Sequence, residues 1–161
     1  MLAESGTGER GIFNRVAAKS KARESGRRNP DHEFGTNPCG EISLRSGQFC
    51  NLTEAVIRAT DTKEDLLNKV RLATILGTYQ SSFTKFTYLR KIWKTNTEEE
   101  RLLGVSLTGI MDNTLTNGKE GDLIALLSEL KQCAIETNKE WSEKLGIPPS
   151  TAITTVKPSG T

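Results

Sequence analysis

Residues 122–145 leave the chain little conformational freedom. Leu123, Leu126, Leu127, Leu130, Ala134, Thr137 and Trp141 recur there at helical spacing and share one face. Gly146 and Pro148 follow and stop the helix. A long helix with one apolar side needs a second layer to cover it. A second helical stretch, 61–88, answers that need. Asp61 or Thr62 supplies its cap, and Glu64 and Asp65 sit in the first turn, where they suit the helix dipole. Leu66, Val70, Ala73 and Gly77 follow in register, with Gly77 marking close packing. Short β-type runs lie beside these helices. Val105 to Thr108 is bracketed by Gly104 and Gly109, and a further run spans 152–156. Shorter helices are expected from the Asn14 cap to about Arg23, ended by Gly26, and at 97–101. Helix alternating with strand defines an α/β fold.

Composition narrows the function classes. A net charge of +2 argues neither for nucleic acid nor for a membrane surface as partner. The basic run Arg15, Lys19, Lys21, Arg23, Arg27 and Arg28 reads as a solvated helix face and loop. Phe83, Phe86, Tyr88 and Trp93 read as core or interface, because no basic and aromatic residues interleave as in a base-stacking platform. No apolar run approaches the ~20 residues that span a bilayer, and no signal-peptide pattern opens the chain. Three cysteines without a disulfide-framework pattern favour a reducing, cytoplasmic setting. Cys133, near the apolar face of 122–145, is expected to be a buried structural thiol.

Chemistry concentrates in Thr36-Asn37-Pro38-Cys39-Gly40-Glu41-Ile42 and the following Phe49-Cys50-Asn51-Leu52. In an extended segment, alternate residues face one way, which would align Asn37, Cys39 and Glu41. A carboxylate beside a thiol raises the thiol pKa, so this is not the setting of an ordinary cysteine nucleophile. The trio suits hydrogen-atom exchange at sulfur, with Glu41 handling a hydroxyl proton and Asn37 holding a second hydroxyl. Pro38 removes a backbone donor and rules out a central strand. A surface loop with two incidental cysteines is the competing view, and the joint spacing of Asn37, Cys39, Glu41 and Cys50 outweighs it. Zinc ligation by His32, Cys39 and Cys50 lacks both a Cys-x-x-Cys and a fourth ligand, so no metal ligand is assigned. At the other end, Lys157-Pro158-Ser159-Gly160-Thr161 follows the 152–156 run. A turn of hydroxyls and a glycine after a strand is suited to cradling phosphate.

Asn37-Pro38-Cys39-Gly40-Glu41-Ile42 with Phe49-Cys50-Asn51-Leu52-Thr53-Glu54 resembles the active-site finger loop of the ribonucleotide reductases. The short cysteine-to-cysteine spacing is similar to the adenosylcobalamin-dependent (class II) enzymes, above all the monomeric ribonucleoside-triphosphate reductases. Gly11-Ile12-Phe13-Asn14, Arg101-Leu102-Leu103-Gly104-Val105-Ser106-Leu107-Thr108-Gly109 and Lys157-Pro158-Ser159-Gly160-Thr161 extend the resemblance nearly end to end. The family's glycine-rich segment near the substrate cleft corresponds to 8–11. The fold so implied is part of a ten-stranded α/β barrel with the finger loop threaded through it. Residues 1–161 are then an internal fragment of that barrel, with the finger loop at about 36–53 and the start of a phosphate loop at 157–161.

The resemblance also implies a mechanism. Adenosylcobalamin, the cofactor the resemblance implies, would supply the radical that converts Cys39 to a thiyl. Cys39 abstracts the ribose 3′ hydrogen, Glu41 takes the 3′-hydroxyl proton, and Asn37 orients the hydroxyls. Cys50 is half of a dithiol that delivers reducing equivalents as the 2′-hydroxyl leaves. Pro158, Ser159, Gly160 and Thr161 bind substrate phosphate. The implied partners are a ribonucleoside triphosphate, thioredoxin or a similar dithiol reductant, and the remainder of the reductase chain. The family pattern puts the partner of Cys50 upstream of this chain, and the exchange cysteines and most of the cobalamin and effector segments outside it. The chain by itself is therefore expected to be catalytically silent. A split-chain subunit, or a non-catalytic relic that binds nucleotide or a partner chain, is the alternative. The sequence does not separate diphosphate from triphosphate substrates.

Overall fold

The computed structural model describes residues 3, 4, 6 and 11–159. Segment 8–10, Gly160 and Thr161 lie outside the described residues. The elements, in order, are α1 (Arg15–Ser25), β1 (Gly35–Thr36), β2 (Ser43–Leu44), β3 (Asn51–Val56), α2 (Lys63–Ser81), α3 (Lys91–Glu100), β4 (Leu103–Thr108), a 3₁₀ turn (Ile110–Asp112) and α4 (Leu123–Leu145).

Local chemistry sets most helix ends. Asn14 caps α1 by accepting from the Ala17 amide, and Gly26 ends it. Thr62 and Asp65 close a reciprocal capping box on α2. Asp122 accepts from the Ala125 amide to start α4, and Gly146 stops it. Two helical expectations shift. The 61–88 helix ends at Ser81, because the Ser81 and Ser82 hydroxyls donate to the Thr78 and Tyr79 carbonyls that would carry the helix on. Residues 97–101 are the end of α3, not the start of a helix. Arg101, in the left-handed region at φ 43°, terminates it and donates its guanidinium to the Ser81 carbonyl at 2.7 Å.

β3 and β4 pair in parallel, from Asn51 opposite Leu103 to Val56 opposite Thr108. Strand β3 has no counterpart in the sequence expectations. Gly104 lies inside β4 and does not bracket it. The 152–156 run lies along the other edge of β4 through a single parallel bridge, Thr154 to Val105, with the Val105 amide donating to the Ile153 carbonyl. Among the described residues the sheets are short, two strands each, and form an α/β piece without a barrel wall of their own.

The β3–β4 sheet has two unlike faces. On one, Ala55, Leu103 and Val105 meet Leu66, Val70 and Ala73 of α2 and Leu126, Leu130 and Ala134 of α4 in a single core. Leu127, assigned to the buried face of α4, stays half-exposed, and Cys133 is half-buried with its thiol 3.8 Å from the Leu67 carbonyl. On the other face, Gly104 lets the antiparallel hairpin of β1 and β2 close down. A Cβ there would stand 2.4 Å from the end of the Leu52 side chain and 3.0 Å from that of Ile42, so any larger residue forces these side chains to move.

Candidate active site

The hairpin β1–β2 carries the motif. Gly35 pairs with Leu44 and Thr36 with Ser43, and the connection folds into a turn. The Gly40 amide donates to the Asn37 carbonyl at 3.0 Å, with Gly40 at φ 84°, a conformation that favours glycine. The expected extended alternation therefore does not form. The turn places Cys39 exposed at its tip and folds Asn37 and Glu41 towards each other. The Asn37 side chain makes both links: its Oδ1 accepts from the Ile42 amide at 3.1 Å, and its Nδ2 donates to Glu41 Oε2 at 2.7 Å.

Glu41 is held from three sides. Its side chain is 1% exposed, and the Lys157 ammonium lies 3.6 Å from Oε1. That oxygen has no hydrogen-bond partner. The Thr155 hydroxyl donates to the Glu41 carbonyl at 2.8 Å, tying the hairpin to the segment that ends the chain. Burial pushes the Glu41 carboxyl up. The Asn37 hydrogen bond, a backbone hydrogen bond and the Lys157 charge outweigh it and hold the group below the ordinary carboxylate range. Glu41 is thus an anion near neutral pH, ready to accept a proton.

Cys50 is half-buried at the entry to β3. Burial and then the Glu41 charge push its thiol up, partly offset by a backbone hydrogen bond and by Lys157. It therefore stays protonated near neutrality, a thiol and not a standing nucleophile. The preceding Phe49 stacks at 4.7 Å from Trp93 and 5.1 Å from Phe86, which roots this segment against α3. Phe83 and Tyr88 are exposed and take no part in the core.

A buried ionic clamp seats the hairpin. Arg28, in the loop after α1, donates from Nε and Nη2 to both carboxylate oxygens of Glu100 at 2.8 and 2.9 Å, and from Nη1 to the Ser43 carbonyl. Gln48 bonds Glu100 and the Asn96 carbonyl, and Asn96 bonds the Ser46 carbonyl. The Arg28 guanidinium also lies 4.4 Å from the centre of the Phe34 ring. Arg28 was expected on a solvated basic face; it is buried because its charge is neutralised by Glu100, which stands 72 positions away. No local pattern marks this clamp, so sequence reasoning gave Arg28, Gln48, Asn96 and Glu100 no part in it.

Of the phosphate-turn residues, Pro158 and Ser159 are described and exposed. Ser159 Oγ lies 3.1 Å from Thr108 Oγ1, and the Lys157 amide donates to Ser106 Oγ at 2.9 Å. The turn therefore starts beside the C-terminal end of β4, where ligands of open α/β sheets bind. Asn37, Glu41, Cys50 and Lys157 form one neighbourhood with the start of this turn adjoining it, while Cys39 stands at the exposed tip. Among the described residues, no three His, Cys, Asp or Glu side chains come together as a metal site, and no helix is long and apolar enough to cross a membrane.

No established family profile matches the chain. A crystal structure of a B12-dependent (class II) ribonucleotide reductase superposes with a TM-score of 0.62 at 29% identity, over 78% of this chain and 21% of that one. The fold is thus that of part of a ribonucleotide reductase. The adenosylcobalamin-dependent ribonucleoside-triphosphate reductase of Lactobacillus acidophilus is 32% identical over 96% of this chain and 24% of its own length. That of Lacticaseibacillus paracasei is 30% identical over 99% of this chain and 25% of its own. Over the stretch it spans, the chain shares sequence and fold with the adenosylcobalamin-dependent (class II) ribonucleotide reductase family, the one its motifs resemble. It covers about a quarter of the length of those curated relatives.

Proposed function

We propose that this chain is the finger-loop portion of the catalytic barrel of an adenosylcobalamin-dependent ribonucleoside-triphosphate reductase. The whole enzyme makes deoxyribonucleotides for DNA synthesis, and 1–161 contributes the finger loop at about 36–53 and the start of a phosphate loop at 157–161. The observation that carries this is the 2.7 Å hydrogen bond between Asn37 and Glu41, made on a hairpin whose tip bears Cys39 and whose base leads to Cys50. In this proposal Cys39 abstracts the ribose 3′ hydrogen as a thiyl and returns it at the end of the cycle. Glu41, an anion at neutral pH, takes the 3′-hydroxyl proton. Asn37 orients the substrate hydroxyls. Cys50 and a second thiol supply two electrons and two protons as the 2′-hydroxyl departs as water, leaving a disulfide. A thioredoxin-type dithiol then reduces that disulfide by exchange. Pro158, Ser159, Gly160 and Thr161 hold the triphosphate.

Adenosylcobalamin, when bound, supplies the radical. The donor set fits the receiving end of that chemistry, because Cys39 is exposed at the hairpin tip. The seat of the corrin falls to the rest of the reductase. Leu72, Leu76 and Phe83 are 62–73% exposed, which suits burial against that remainder, whether in one chain or as a complementary chain. Dithiol-dependent chemistry and three free cysteines suit a cytoplasmic setting. The test is reduction of a labelled ribonucleoside triphosphate with adenosylcobalamin and a dithiol. The reductase assembled around this segment forms deoxynucleotide and its Cys39→Ser variant does not, while the chain of 161 residues alone is silent. Deoxynucleotide formation by the isolated chain, or full activity of the Ser variant, overturns the proposal.

A further inference from the structure

We infer that Lys157 is a positioning residue for Glu41: its ammonium neutralises the buried carboxylate and locks the phosphate-turn segment onto the hairpin. The inference deepens the proposed reductase function, since it concerns the control of Glu41 as a base. Four observations carry it. The Glu41 side chain is 1% exposed, and a carboxylate so placed needs compensation. Its Oε2 is occupied by Asn37 at 2.7 Å, while Oε1 has no hydrogen bond and faces Lys157 at 3.6 Å. The lysine is delivered by its own backbone, since its amide is pinned to Ser106 Oγ at 2.9 Å. Two residues earlier, the Thr155 hydroxyl grips the Glu41 carbonyl at 2.8 Å.

The other charged groups nearby are otherwise engaged or do not pair with Glu41. Lys21 of α1 is paired with Glu24, and Arg28 with Glu100. Arg27 and, from α4, Lys131 line the same cleft as Glu41 without an ion pair to it among the described residues. The titratable group facing Glu41 from the entry to β3 is the Cys50 thiol, which the Glu41 charge disfavours as thiolate and the Lys157 charge favours. Lys157 thus acts on both halves of the proposed chemistry. It adds to the Asn37 and backbone hydrogen bonds that keep the base ionised, and it limits the penalty that Glu41 imposes on Cys50. With one third of its side chain exposed, the lysine is partly screened, so its influence is that of a tuning charge.

The test uses the chain of 161 residues as it stands and needs no catalysis. Glu41 is titrated by carboxyl-detected NMR, and Cys50 alkylation by iodoacetamide at mildly alkaline pH is followed peptide by peptide. In Lys157→Met the Glu41 midpoint moves up and Cys50 alkylation slows about two- to threefold, as loss of a nearby favourable charge requires. Lys157→Arg restores both. Glu41→Gln speeds Cys50 alkylation while Cys39 remains the faster of the two, whereas an unfolded hairpin makes Cys39 and Cys50 equally reactive. An unmoved Glu41 midpoint in Lys157→Met, or an arginine variant that behaves as the methionine one does, overturns the inference. These readouts hold or fail whether or not the assembled enzyme reduces nucleotides, so failure of the reductase proposal is recognised separately, by the activity assay.

Discussion

Replacing Arg28 by methionine keeps much of the apolar stem and removes the guanidinium from the clamp beneath the hairpin. Arg28 and Glu100 have side chains only 7% and 3% exposed, so the carboxylate would be left buried with Gln48 as its remaining partner. Removing one member of a buried ion pair costs about 3–5 kcal/mol. The loss of the guanidinium over Phe34 adds about 0.5–1 kcal/mol. The pH dependence follows from Glu100. In the wild-type chain burial pushes its carboxyl up, but hydrogen bonds from Arg28 and Gln48 and the charges of Arg28 and Arg45 outweigh burial and hold it below the ordinary range. A carboxyl lowered in this way contributes stability that is present above its unfolded pKa and lost as pH falls through its folded pKa. Without Arg28 the balance reverses, burial prevails, and the variant is relieved as Glu100 takes up its proton. The gap between the two proteins is therefore widest near neutrality and narrows in acid. Urea unfolding followed by circular dichroism measures it at neutral pH and again at about pH 4. Arg28→Met combined with Glu100→Met recovers most of the loss, because an apolar pair replaces a buried ion pair at little cost. A loss below about 1 kcal/mol at neutral pH, the scale of an exposed pair, refutes the reasoning. So does a loss equal at both pH values.

Two further outcomes follow from the site's packing and exposure. Gly104→Ala puts a Cβ 2.4 Å from Leu52 and 3.0 Å from Ile42, so it destabilises by about 1–3 kcal/mol and loosens the hairpin; an unchanged melting temperature would contradict the packing described here. Cys39, exposed at the hairpin tip, reacts with a disulfide reagent well before Cys50, which is half-buried and whose thiol is pushed up by burial and by Glu41. Equal rates for the two in the folded chain would mean that the hairpin does not sit against β4.

What could be read locally was read well. The caps Asn14 and Thr62 and the stops Gly26 and Gly146 act within one helical turn of the residues they satisfy, so the sequence pattern carries them. The misjudged elements lacked such signals. Helix α3 has no side-chain cap at Arg90, and its polar Thr97-Glu98-Glu99-Glu100 end looks like a beginning. Strand β3, Asn51–Val56, mixes polar and apolar residues because its pairing with β4 stabilises it, and that partner lies far along the chain. In the motif, Gly40 and the Asn37 side chain favour a turn over the extended alternation, a choice sealed by the Asn37 to Ile42 hydrogen bond.

The sequence by itself determined the α/β class, the two long helices and the motif of Asn37, Cys39, Glu41 and Cys50, since each rests on spacing within a short stretch. Only the tertiary structure decided what surrounds Glu41. The Thr155 hydroxyl reaches its carbonyl across 114 positions, and Lys157 arrives with it. Arg28 meets Glu100 across 72. Interactions between charges and buried polar groups depend on distance in space and on exclusion of water, and neither is a property of neighbouring residues in a chain.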